Sequence, residues 1–136
     1  MVKYEKYTIE LDHLQLEGFF VGWAAPLDEG KHREILKKSF LSLVAIDEDK
    51  NKIVGFLNVI SDGVLSAYIP LLEVLPDYQG QGIGSELVRR ALAELQHLYM
   101  IDLCCDQELQ PYYEKLGMHP SFGMIYRNYE WMARKG

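Results

Sequence analysis

A chain of 136 residues fits a single domain over residues 1–136, large enough to bury a core and too small for two. Its 49% hydrophobic and 25% charged residues are ordinary for a globular protein, and a net charge of −6 argues against the basic face that nucleic-acid binding needs. No apolar run exceeds strand length and the N-terminus lacks a signal-peptide core, so no membrane or nucleic-acid partner is expected.

The only cysteines, Cys104 and Cys105, are adjacent and cannot form an ordinary bridge with each other, which points to a reducing, cytoplasmic setting. In chain order, alternation over residues 4–10 predicts a first strand. Leu14, Leu16, Phe19, Phe20 and Trp23 predict a helix over residues 11–23, ended near Ala25 and Pro26. A second helix over residues 29–40 would turn Ile35, Leu36 and Phe40 inward. Strands follow at residues 42–46, 53–61 and 64–74, the last two joined by a two-residue hairpin turn at Asp62 and Gly63.

Beyond a glycine-rich loop, Ile83, Leu87, Ala91 and Leu95 form an apolar stripe at helical spacing over residues 82–97. Residues 100–105 read as a short strand buried on both faces except at Asp102, with Cys104 and Cys105 as buried small hydrophobes. Strand, helix and strand in this order make a right-handed parallel crossover. A short helix then aligns Leu109, Tyr112, Tyr113 and Leu116 and stops at Gly117, and residues 122–131 read as one or two closing strands. His13, His32, His97 and His119 have no metal-ligand spacing; surface positions are expected for them, and no metal.

The chemistry is concentrated in residues 72–85. An apolar strand ends at Pro76, glycines follow at positions 80, 82 and 84, and a helix begins at once. Free N–H groups at such a helix start, with the positive end of its dipole, make a site for a phosphate or pyrophosphate. Glycine lets the anion approach the backbone. Ser85-Glu86 stands where a nucleotide-hydrolase loop needs Lys followed by Ser or Thr. Ser85 also takes the place of the third glycine of the dinucleotide fingerprint.

What the segment does match is Gln/Arg-x-x-Gly-x-Gly, as Gln79, Gly82 and Gly84, and it resembles the acyl-CoA loop of the GNAT superfamily of N-acyltransferases. Residues 106–118 resemble that family's closing motif, Asn-x-x-Ala-x-x-Phe/Leu-Tyr-x-x-x-Gly-Phe. Asp106 replaces Asn, Leu109 replaces Ala, Tyr112 replaces Phe and Met118 replaces the final Phe. The order of elements resembles the whole domain. The implied fold is α/β (α+β): a mixed, mostly antiparallel central sheet with a parallel strand–helix–strand crossover and helices on both faces.

The resemblance implies an acetyl-CoA-dependent N-acetyltransferase, with acetyl-CoA as co-substrate and a small-molecule or peptide amine as acceptor, attacking directly in a ternary complex. The acidic balance is compatible with a cationic amine. A silent acyl-CoA sensor and a peptide-directed enzyme remain as alternatives, and the apolar stretch Tyr126 to Trp131 is a candidate homodimer contact.

By the same resemblance, a V-shaped gap opens where the strand ending at Val74 parts from the strand over residues 100–105. Leu72 and Val74 would pair with the pantetheine arm, and amides of Gln79, Gly80, Gln81, Gly82, Ile83, Gly84 and Ser85 would hold the pyrophosphate. Arg89 and Arg90 read as solvated helix-face residues. Acyl transfer from a thioester to an amine needs a neutral amine, a donor for the oxyanion and a proton for the thiolate. The Val74 N–H is the expected oxyanion donor and Tyr113 the expected acid.

Glu73 is either the base or a strand residue turned into an ion pair or solvent, because water suffices for an α-amine of pKa about 8. Tyr68 and Pro70 occupy places where some relatives carry histidine bases, with Tyr68 left as a water-relay candidate. Trp23 is expected in the acceptor pocket or the core. Asp106 orients water or pantetheine, or caps the short helix.

Overall fold

Aliphatic runs build the centre of the structure, a computed structural model that describes residues 1–133. The strands β1 (Val2–Lys6), β2 (Leu41–Asp47), β3 (Lys52–Ser61), β4 (Ser66–Val74) and β5 (Met100–Asp102) form one sheet in that order. The first four pair antiparallel. β5 joins β4 in parallel, after a crossover through helix α2 (Ile83–Glu94). All of β2 and residues 53–59 of β3 are buried, so both faces of the sheet are covered.

Neighbouring residues of β3 show which helix covers which face, because successive strand side chains point to opposite sides. Gly55 faces α2: a Cβ there would lie 3.2 Å from Ile83 and 3.4 Å from Leu87. Phe56 faces the other way, its ring centroid 4.3 Å from that of His32 on α1 (Glu29–Lys38). Along α2, Leu87, Val88 and Ala91 are fully buried, as is Leu95 just beyond its end. Each of these leucines contributes about 2 kcal/mol by burial. The Asp28 carboxylate caps α1 by accepting from the Lys31 N–H at 2.7 Å. This is the mixed sheet with helices on both faces that the resemblance implies.

Five expectations need correction. Residues 11–23 form no helix. A single 3-10 turn (Ile9–Leu11) leads into an irregular segment in which Gly18, Phe20 and Gly22 all have φ between 64° and 88°. Left-handed residues at three alternate positions are incompatible with a helix. The apolar side chains at helical spacing are buried all the same, because Gln15 bridges to the start of β3 and the chain folds over Phe56.

The turn between β3 and β4 spans residues 62–65 rather than two. The Asp62 carboxylate organises it by accepting from the N–H groups of Val64, Leu65 and Ser66. β5 is three residues long with Met100 exposed, and beyond it Cys104 is exposed and Cys105 half-buried, so neither thiol is a core residue. His32 is buried, not at the surface. The closing strands are absent among the described residues: residues 119–128 are irregular and exposed, and α4 (Tyr129–Ala133) follows.

Candidate active site

Parallel pairing of β4 and β5 is confined to Ser66–Met100, Ala67–Ile101 and Tyr68–Asp102. Two residues further along β4, Pro70 has no N–H to donate, and the strands part. The opening is a cleft of about 730 Å³ with Leu71, Leu72 and Glu73 on one wall and Leu103, Cys104, Cys105 and Asp106 on the other. That volume suits a small-molecule or cofactor site. Val21 and Trp23 from the irregular segment, Gln79 after β4 and Tyr113 of α3 (Gln110–Glu114) also line the cleft.

Glu73 points into this cleft and is anchored there. Its two carboxylate oxygens accept from the N–H of Phe20 at 2.8 Å and of Val21 at 3.1 Å. Phe20 holds a φ of 64°, a costly conformation for a bulky side chain, and the carboxylate together with the contacts of its ring to Phe56 and Trp23 offsets that cost. Among the described residues Glu73 forms no ion pair, and it faces the cleft rather than turning away from it. Trp23 lines the cleft with 38% of its surface exposed.

The glycine loop is built for close approach by an anion. Gly80 and Gly82 have φ of 79° and 83°, and no heavy atom lies within 4 Å of where their Cβ atoms would be. Gly82 is the N-cap of α2, so the amides of Ile83, Gly84 and Ser85 have no intrahelical acceptor. The donors and the open cradle fit a diphosphate-bearing coenzyme. Gln79 uses its side-chain amide to bind the Val74 carbonyl at 3.0 Å, which fixes the loop to the end of β4. Tyr78 fixes it to β2: its hydroxyl donates to the buried Asp47 carboxylate at 2.5 Å, and this bond pushes the phenol up to about 12 and the carboxyl down. Val74, Gly80, Gln81, Gly82, Ile83, Gly84 and Ser85 do not line the main cleft, and Ile83 is a core side chain.

Two neighbouring tyrosines divide their tasks. Tyr112 accepts a hydrogen bond from the Ser85 hydroxyl at 3.1 Å and sits where a Cβ on Gly84 would come within 3.0 Å of its hydroxyl, so it clips α3 to the start of α2. The Tyr113 hydroxyl has no hydrogen-bond partner among the described residues and faces the cleft. Burial, with smaller contributions from Tyr112 and Cys105, pushes its phenol up to about 12.

Tyr68 is not a cleft residue. It lies where β4 and β5 still pair, and a hydrogen bond to Cys104, then burial, pushes its phenol up. Asp106 lines the cleft at the N-cap position of a 3-10 turn, Gln107–Leu109, but its side chain makes no cap bond there. Arg89 and Arg90 pair with Glu86, and Arg90 also lies over the ring of Tyr4. Among the cleft residues without a signal in the sequence motifs are Cys104, Cys105, Ile125 and Arg127. The two cysteines precede Asp106 on the same wall, which is the one hint available from sequence.

By its fold this is an acetyltransferase-like domain. It superposes with a TM-score of 0.88 and 38% identity on a Deinococcus radiodurans R1 protein assigned as an acetyltransferase, over 97% of this chain and 92% of that one. A GNAT-family acetyltransferase from Streptococcus pneumoniae TIGR4 matches with a TM-score of 0.70 and 29% identity, over 94% of this chain and 98% of that one. The model of the acetyltransferase (GNAT) family matches residues 8–118, and the chain belongs to that family. Among curated sequences, the uncharacterized N-acetyltransferase ycf52 of Pyropia yezoensis is 29% identical over 100 residues, 71% of this chain. The chain spans little more than half the length of that relative, 58%.

Proposed function

We propose that the chain is an acetyl-CoA-dependent N-acetyltransferase acting in the cytoplasm on a primary amine, preferably a small molecule, by direct attack in a ternary complex. One observation carries this reading: the amides at the start of α2 have no intrahelical acceptor, and the cleft between β4 and β5 is lined by Gln79, at the head of their loop, and by Tyr113, whose hydroxyl has no hydrogen-bond partner among the described residues. Acetyl-CoA, when bound, supplies the acetyl group as a thioester. The amides of Ile83, Gly84 and Ser85 bind its diphosphate beside Gly80, Gln81 and Gly82, and Leu72 and Val74 offer backbone groups to the pantetheine arm. Tyr113 holds a proton at its hydroxyl oxygen for the departing sulfur.

Glu73 fixes the wall that carries Val21 and Trp23, against which the acceptor is oriented. Its oxygens are engaged by two amides, which favours water as the agent that removes the amine proton. Tyr68, where β4 and β5 still pair, serves as a water-relay member beside the acceptor site, and Asp106 orients groups along the opposite wall. A homodimer belongs to the same proposal. Phe122, Met124, Ile125 and Tyr126 expose large apolar surfaces, and among the described residues β5 leaves one strand edge unpaired.

The test is thiol release from acetyl-CoA with a panel of amines. Wild type should turn over at least one, and Tyr113→Phe should lower kcat on the order of 100-fold with little change in coenzyme affinity. Coenzyme binding without thiol release from any amine would mark an acyl-CoA sensor. Acetyl incorporation into peptides alone would move the acceptor to that class.

A further inference from the structure

We propose that Cys104 is a coenzyme-directed modification site, forming a mixed disulfide with coenzyme A when that coenzyme arrives as a disulfide. The inference rests on the coenzyme reading of the cleft given above and adds a covalent chemistry that amine acetylation does not use. Both thiols stand on the wall of the cleft, on the stretch where the chain leaves β5 and separates from β4. Cys105 lies close enough to Tyr113 for its charge to help push that phenol up. The sulfur end of a bound coenzyme faces Tyr113, so it passes along the cysteine wall.

The two cysteines are not equivalent. Cys104 is exposed and lines the cleft, so its sulfur is open to a disulfide bound there. Cys105 is half-buried, and burial together with the Asp106 carboxylate pushes its thiol up, which makes it the weaker nucleophile. Cys104 is therefore the attacking group.

The step is thiol–disulfide exchange and balances without any further oxidant. The Cys104 thiolate attacks one sulfur of the coenzyme's disulfide, a bond forms between them, and the old S–S bond breaks. The other half leaves as a thiolate and takes up the proton that Cys104 released. The product fills the cleft that the acetyl donor would occupy, so the oxidised coenzyme closes the site until a thiol reductant reverses the exchange.

Intact-mass measurement of the full chain under non-reducing conditions reads this directly. Coenzyme A disulfide should add one coenzyme to the wild type and to Cys105→Ser, and none to Cys104→Ser. Acetyl-CoA should protect, and dithiothreitol should remove the adduct. Glutathione disulfide, which cannot use the amides of α2, should react on the order of tenfold more slowly. Equal labelling of Cys104→Ser, or equal rates for glutathione disulfide without protection, would overturn the proposal. Calorimetry with coenzyme A separates the two levels. Binding without an adduct defeats this inference alone, and absence of binding defeats the coenzyme reading as well.

Discussion

Three side chains carry consequences that can be measured one at a time. The Tyr113 phenol, pushed up to about 12, keeps its proton through the whole working range. Its acid form is therefore present at every pH up to about 10, and kcat should show no alkaline fall below that point. A descending limb near pH 9 that disappears in Tyr113→Phe would contradict the assignment. Because the hydroxyl has no hydrogen-bond partner among the described residues, the same substitution should change the unfolding free energy by less than about 1 kcal/mol.

His32 is the opposite case, a residue whose importance lies in folding. It is only 1% exposed, ringed by Phe19, Phe20 and Phe56, and its Nε2 has no partner among the described residues. Burial, and to a lesser degree the Arg33 charge, lowers its pKa from 6.5 to about 4. The unfolded chain binds the extra proton first, so stability falls as pH drops from about 6.5 to about 4, by about 3 kcal/mol for this group. Urea unfolding across that window should show the loss, and His32→Leu should flatten it. Glu73→Ala would leave two amides and a left-handed Phe20 without their anchor, for a loss of about 2 kcal/mol and a raised KM for the amine. Unchanged KM would place the acceptor elsewhere.

At the scale of elements, the turn from β4 into α2 is the part whose shape sequence chemistry dictates. Gly82 has a φ of 83° at the cap of α2, so Gly82→Ala adds strain of about 1 kcal/mol and puts a methyl group into the cradle. Coenzyme affinity should fall at least on the order of tenfold, more than the small shift in melting temperature would suggest. Calorimetry against thermal unfolding separates the two effects. The glycine spacing and the stripe Ile83, Leu87, Ala91 and Leu95 locate this element without any tertiary information, because both depend on local backbone geometry. The segment 12–23 is the contrary example. Its apolar spacing mimics a helix, but the side chains are spaced to reach Phe56, and Gly18 and Gly22 take the left-handed turns that a helix forbids.

Across the whole molecule, β5 is one of the sheet's two edge strands among the described residues, and Phe122 and Met124 stand almost fully exposed. A second copy that covers this edge should be detectable as a dimer by light scattering, and removal of residues 120–136 should abolish it. Persistence of the dimer after truncation would place the interface on another face. Sequence alone determined the family, the four central and crossover elements from β2 to α2 and the glycine turn between β4 and α2, since each depends on residues close together in the chain. Tertiary structure decided that Glu73 anchors Phe20 across a separation of 53 residues, that His32 is buried and that both thiols line the cleft. Those outcomes depend on where strands part and how loops cross them, and no local periodicity encodes that.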